Sequence, residues 1–292
     1  MSPAIDIDNL AKDYAVGFWR RRTYRALDGL TLSIEPGEVF GFLGPNGAGK
    51  TTTLKLLMQL IYPTSGRAQI LGRPVGDLAI RHRIGYLPEN PSFYDYLTAE
   101  ELLTYFAQLF GYSPADRRTR VASLLDRVGI GRERRFQLRK FSKGMVQRVG
   151  IAQALLNDPE VIFLDEPMSG LDPLGRRDVR ALILELRDQG RTVFFSSHIL
   201  ADAEALCSRV AVVAAGRLAA HGRLAELTEF TVRGWELVVA NLSVAALERV
   251  RPIATRVIEI SPGRYSLELS LALPPDRILS ELVATGASVV SL

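Results

Sequence analysis

The sequence predicts an α/β core with a helical insert, followed by a small α+β module at its carboxyl end. Three observations carry this. From Ile5 to about Thr228, short apolar runs end in glycine or acidic residues and lead into helical stretches. Between Leu97 and Phe141 the pattern becomes helical and amphipathic, with a charge-rich stretch from Asp116 to Arg120. After Glu229 the pattern changes again, to short alternating strands.

In chain order, Val39 to Leu43, Ile84 to Leu87, Val161 to Leu164 and Thr192 to Phe195 are expected as strands. The first, third and last of these are continuous apolar runs, as in strands buried on both faces. Thr52 to Leu60 is expected as a helix, and the helical subdomain covers about 97–145. The core is therefore assigned to 1–228 and the module to 229–292. Within the module, Trp235 to Ala240 reads as a strand, and Ser243 could cap a helix through Val250. Ile253 to Ile260 reads as a second strand, turned by Ser261-Pro262-Gly263. Tyr265, Leu267, Leu269 and Leu271 then alternate with polar residues. A helix with Ile278, Leu279, Leu282 and Val283 on one face precedes a last strand at Val289 and Val290. The order β-α-β-β-α-β predicts a ferredoxin-like module.

Composition narrows the function classes. The 292 residues are 47% hydrophobic, enough for a sizeable core, and the net charge of +4 does not by itself argue for nucleic acid. Cys207 is the only cysteine, which excludes an intrachain disulfide and points to a reducing compartment. Met1 to Leu10 alternate apolar and acidic residues without a signal-peptide core. No apolar run approaches the roughly 18 residues of a membrane helix. The chain is expected to be soluble by itself, with any membrane role coming through a partner.

The strongest signal is Gly44-Pro45-Asn46-Gly47-Ala48-Gly49-Lys50-Thr51, which fits G-x-x-x-x-G-K-[ST] at every fixed position. It follows one expected strand and opens the helical run that begins at Thr52. Glycines let backbone N–H groups turn inward around phosphates, and the helix amino terminus adds partial positive charge. Lys50 is expected on the β- and γ-phosphates and the Thr51 hydroxyl on magnesium. Asp165-Glu166 ends a buried strand. Carboxylates there are costly unless a cation meets them. Asp165 is expected to face Mg2+, and Glu166 to polarise the attacking water as a general base.

Together these strings resemble the ATP-binding cassette (ABC) ATPases, a P-loop NTPase fold. Phe141-Ser142-Lys143-Gly144-Met145 looks like the family's signature motif, Ser169-Gly170-Leu171-Asp172 like its D-loop, and Ser196-Ser197-His198 like its switch histidine. Tyr14 resembles the aromatic that stacks on adenine. The resemblance runs from about Ile5 to Thr228, and the appended module is similar to one in ATPases of ABC-2-type exporters. It implies ATP and Mg2+ as ligands and a site shared by two chains, a homodimer or heterodimer. In it Ser142 and Gly144 of one chain cover the γ-phosphate held by the other, with Asp172 beside the nucleotide and His198 bonded to the γ-phosphate. It also implies a membrane permease as partner, a peripheral place on the cytoplasmic side of the membrane, and no nucleic acid.

Two positions depart from the family. Glu89, after the strand Ile84 to Leu87, stands where glutamine is usual; it is either a magnesium-side variant or a neutral loop residue. Lys143 stands where the signature usually has glycine. Phe18-Trp19-Arg20-Arg21-Arg22 could meet a membrane surface or form an exposed hairpin. Phe93, Tyr94 and Tyr96 either receive a permease helix, as the resemblance implies, or pack as ordinary aromatics. Three functions stay in view: a transporter motor, a soluble cassette ATPase not dedicated to transport, and a nucleotide-dependent regulator. Glu166 and His198 argue against the last. A single cassette with a short insert is unlike the translation- and repair-type relatives, so the expected function is the ATP-hydrolysing motor of an exporter.

Overall fold

The computed structural model describes residues 2–16, 22–228, 234–242, 244–261, 263–270 and 288–291. The chain divides into two compact units, Met1–Thr228 and Glu229–Leu292.

The first unit opens with β1 (Ile5–Val16) and β2 (Arg22–Ile34), then β3 (Val39–Leu43) and α1 (Lys50–Leu57). Strands β4 (Ser65–Ile70), β5 (Arg73–Pro74) and β6 (Ile84–Leu87) follow. Helices α2 (Ala99–Leu109), α3 (Pro114–Arg127) and α4 (Lys143–Ala154) make up the helical part. The chain continues through β7 (Val161–Asp165), α5 (Pro173–Asp188), β8 (Thr192–Ser197) and α6 (Leu200–Glu204). It closes with β9 (Arg209–Ala214), β10 (Arg217–Arg223) and α7 (Leu224–Thr228).

The central sheet has the order β10-β9-β3-β8-β7-β6 and is parallel apart from the β9/β10 pair. Strands β3, β7 and β8 are buried along their whole length because both faces are covered. Phe163 and Phe194 point into one core with Phe40, Phe42 and α1, while Ile162, Leu164, Val193 and Phe195 point into the other with α2 to α5. Each fully buried phenylalanine contributes about 1.5–3 kcal/mol of transfer free energy. The strands end on one edge of the sheet, where open α/β sheets place ligands. The phosphate loop follows β3, Glu89 follows β6, Asp165 ends β7, and Ser197 ends β8 just before His198.

A second, antiparallel sheet, β2-β1-β4-β5, covers the first core. The sequence reading does not anticipate it. Register shifts between Ile7 and Leu10, Leu10 and Lys12, and Lys12 and Asp13 break the two-residue alternation that marks a strand.

The helical part is set by its caps. Thr98 and Glu101 form a reciprocal capping box at α2, and Ser113 caps α3 with Pro114 opening the helix. Each such cap stabilises its helix by about 1 kcal/mol. Phe93 packs against the core, whereas Tyr94 and Tyr96 are exposed with ring centroids 5.8 Å apart.

The second unit contains β11 (Gly234–Ala240), α8 (Val244–Val250), β12 (Ala254–Ser261), β13 (Arg264–Ser270) and β14 (Ser288–Ser291). Its sheet order is β12-β13-β11-β14, with every neighbouring pair antiparallel. Leu237, Val239, Leu267 and Leu269 pack with Ala246 and Val250 of α8 in a core of their own. The Ser243 cap, Pro262, Leu271, the helix at Ile278 to Val283, and Phe18 to Arg21 lie outside the described residues.

Candidate active site

The loop between β3 and α1 is shaped by glycines. Gly49 has φ of 106°, and a Cβ there would stand 2.7 Å from the Ala26 carbonyl oxygen, so no other residue fits without displacing backbone. Gly47 has φ of 80°, and a Cβ there would meet open space. The loop therefore bares its backbone to a cleft of about 410 Å³. The cleft is lined by Tyr14, Asn46, Gly47, Gly49, Lys50, Thr51, Thr52, Glu89 and Glu166, which gathers nine of the residues expected around nucleotide. Tyr24 and Ala26 complete it. Tyr24, opposite Tyr14 in the β1/β2 register, was missed, because that pairing depends on a long-range register no local string announces.

Lys50 is buried, and its Nζ donates to the Gly44 carbonyl at 2.7 Å. The same Nζ lies 3.3 Å from Glu166 Oε1. Glu166 Oε2 in turn lies 2.9 Å from His198 Nδ1. An ionised carboxylate only accepts, so Nδ1 carries the proton in this contact. Glu166 has φ of 50°, a left-handed backbone that costs a non-glycine residue of order 1–3 kcal/mol and is typical of functional sites. Gln147, buried on α4, donates to the Pro167 carbonyl at 3.3 Å and so braces the same turn. No local pattern in the sequence singles out Gln147, whose role depends on the packing of α4 against this turn.

Asp165 is fully buried. Its Oδ1 accepts from the Ser196 hydroxyl at 2.6 Å, while its Oδ2 is buried without a hydrogen-bond partner. Burial pushes its carboxyl above the usual range; the Ser196 and Thr51 hydroxyls pull it back, and the charges of Glu89 and Glu166 push it up. Burial likewise pushes the Tyr86 phenol up to about 12, and Asp165 and Glu89 add to it. Glu89 is thus exposed to solvent yet acts electrostatically on the Asp165 end of the cleft.

Among the described residues no group of three or more His, Cys, Asp or Glu could hold a metal by itself. The orphaned Oδ2 of Asp165 beside the Thr51 hydroxyl nonetheless fits Mg2+, which takes one or two carboxylates and fills its shell with phosphate oxygens and water.

The other expected residues lie elsewhere. Ser142 caps α4 by accepting from the Met145 N–H at 3.3 Å, and Asp172 caps α5 by accepting from the Gly175 N–H at 2.7 Å. With Gly144 they line a second concavity of about 410 Å³ that shares no residue with the phosphate-loop cleft. Lys143 lies over Gly170, where an added Cβ would meet its Cδ at 2.9 Å. Gly44, Pro45 and Ala48 are loop backbone, and Gly44 N–H donates to the Ser197 carbonyl at 3.2 Å.

Comparison with known proteins decides the family. Residues 27–169 match the ABC transporter family model. An ABC transporter ATP-binding protein of Synechocystis is 48% identical, covering 88% of this chain and 73% of that protein. The chain belongs to the ATP-binding cassette family. The Nod factor export ATP-binding protein I of Cupriavidus metallidurans is 38% identical to it, over 89% of this chain and 86% of its own length. A dimeric cassette structure in a post-hydrolysis state with ADP and Pi superposes with a TM-score of 0.70 at 28% identity, over 75% of this chain and 98% of its own. The cassette binds ATP and hydrolyses it, as the ATP-binding subunit of an ABC transporter. No helix among the described residues is long and apolar enough to cross a membrane.

Proposed function

We propose that this cassette is the motor of an ABC-2-type exporter, driving a separate membrane permease from the cytoplasmic face by ATP-dependent pairing of two cassettes. The observation that carries the chemistry is Glu166, held between Lys50 and His198 at the mouth of the phosphate loop. In this reading Lys50 exchanges its loop carbonyls for the β- and γ-phosphate oxygens when ATP enters. Backbone N–H groups of Gly47 to Thr51, with the α1 amino terminus behind them, meet the phosphates. Tyr14 stacks on adenine, and Tyr24 forms the far wall. Thr51 and Asp165 would hold Mg2+, with Glu89 on the same side, and the bound ion would supply neutralisation of charge on the phosphate oxygens. Glu166 accepts a proton from the water whose oxygen attacks the γ-phosphorus as the bond to ADP breaks. His198 holds Glu166 until the γ-phosphate arrives and then bonds to that phosphate.

Pairing follows from the two concavities. Ser142, Gly144 and the α4 amino terminus offer donors to an anion, yet within one chain they do not line the phosphate-loop cleft. A second chain would supply them in trans, with Asp172 close by, and the dimeric relative supports this arrangement. Export as the direction of transport is supported by the relative named for Nod factor export. Residues 229–292 are read as a ferredoxin-like accessory module; the strand order and antiparallel directions support it. Membrane fractionation tests the transporter arm. The chain is expected in washed membranes, co-purifying in detergent with a polytopic protein; a chain found only in the soluble fraction would favour an ATPase not dedicated to transport.

A further inference from the structure

We propose that Ser196 is a positioning residue of the nucleotide site, its single hydroxyl setting both the metal-facing oxygen of Asp165 and the backbone turn of Glu166. The inference rests on the reading of Asp165 as the metal-side carboxylate.

The placement follows from strand register. In the β7/β8 pairing Asp165 stands opposite Ser196, the last matched pair before the strands part. Ser196 is wholly buried. Its Oγ accepts from the Glu166 N–H at 2.9 Å and lies 2.6 Å from Asp165 Oδ1. An amide N–H can only donate and a carboxylate can only accept, so the hydroxyl proton has one destination, Asp165 Oδ1. Both bonds are therefore fixed in direction.

Two consequences follow. Oδ1 of Asp165 is engaged, so its rotamer is set and Oδ2 is the oxygen left buried without a protein partner. Glu166, at φ of 50°, has left the strand ladder, and its N–H needs an acceptor that no neighbouring strand supplies. Ser196 supplies it. An apolar residue at this place would strand a buried N–H and a buried carboxylate oxygen together. One side chain thus couples the orientation of the metal-side acid to that of the general base.

The test compares Ser196→Ala with Ser196→Thr, which keeps the hydroxyl. Mn2+ affinity of the ADP-bound protein, read from the loss of the free-ion electron paramagnetic resonance signal, reports on Asp165. ADP affinity in EDTA reports on the rest of the cleft. The expected result for Ala is Mn2+ affinity lower by about tenfold or more, the scale for losing an outer-shell partner. ADP affinity in EDTA should stay within about twofold, as for a site not directly contacted. The kcat should fall with little change in KM, and Thr should restore both. A folded Ala variant with normal Mn2+ affinity and kcat would overturn the proposal. So would an equal loss of affinity with and without metal. If Ala does not fold, Ser196→Cys, a weak donor of similar size, takes its place; failure of both to fold would make Ser196 a folding residue and overturn the proposal as well. Asp165→Asn separates the underlying reading: unchanged Mn2+ affinity in that variant would remove Asp165 from the metal, whatever Ser196 does.

Discussion

Nδ1 of His198 lies 2.9 Å from Oε2 of Glu166, so the histidine that follows β8 is bonded to the acid that follows β7. The parallel β7/β8 pairing brings the two strand ends side by side, and the left-handed turn at Glu166 points its carboxylate into the cleft. The same carboxylate meets Lys50 on its other oxygen. In the proposed reading, one acid therefore answers both the residue that would hold phosphate and the residue that would report it.

His198→Ala is expected to lower turnover by about a hundredfold, the scale for removing one donor aimed at developing charge. ATP affinity should change little, because Lys50 and the loop backbone still hold the phosphates. Steady-state kcat and equilibrium ATP binding check this; a matching loss in both would mean that His198 acts in binding.

Lys50→Ala is expected to abolish ATP binding or turnover. Lys50 is buried against the Gly44 carbonyl and Glu166. Its charge faces that of the acid and, in the proposed reading, would face that of ATP. The measurement is ATPase rate of the purified variant, and unchanged hydrolysis would contradict the loop assignment.

Glu89 has a sharper test. It faces the Asp165 end of the cleft closely enough to act on both Asp165 and Tyr86. Glu89→Gln keeps an oxygen and should retain activity. Glu89→Ala should raise the magnesium needed for half-maximal turnover by about tenfold. If both variants match the native chain at limiting magnesium, Glu89 is a bystander.

Residues from Glu229 onward are expected to be dispensable for ATP chemistry. Among the described residues, those lining the phosphate-loop cleft all belong to the first unit, and the second unit's sheet has its own apolar core. A chain ending at Thr228 should bind ATP within about twofold of the full chain, while pairing more weakly or turning over at a modestly changed rate. Loss of ATP binding in a folded truncated chain would mean that the unit completes the site.

What was legible in the sequence was what a contiguous string must do. Gly44 to Thr51 fits a phosphate-wrapping loop that enters a helix, and the short β-branched and aromatic run before Asp165 fits a buried strand. What was not legible depends on pairing between distant segments. The β1/β2 hairpin breaks its own alternation with bulges, so neither the second sheet nor Tyr24 opposite Tyr14 shows in the pattern. Ser196 reads as part of a short polar string until the β7/β8 register sets it against Asp165. The left-handed backbone of Glu166 has no local signature either, since glutamate is an unusual residue to find there.

The most direct test of the central claim is the turnover of Glu166→Gln. The amide preserves the shape of the side chain and removes its basicity. The variant is expected to bind ATP normally, to hydrolyse it at least about a hundredfold more slowly, the usual scale for a lost general base, and to accumulate as an ATP-bound dimer on size-exclusion chromatography. Hydrolysis at the native rate would show that Glu166, despite its place between Lys50 and His198, is not the base.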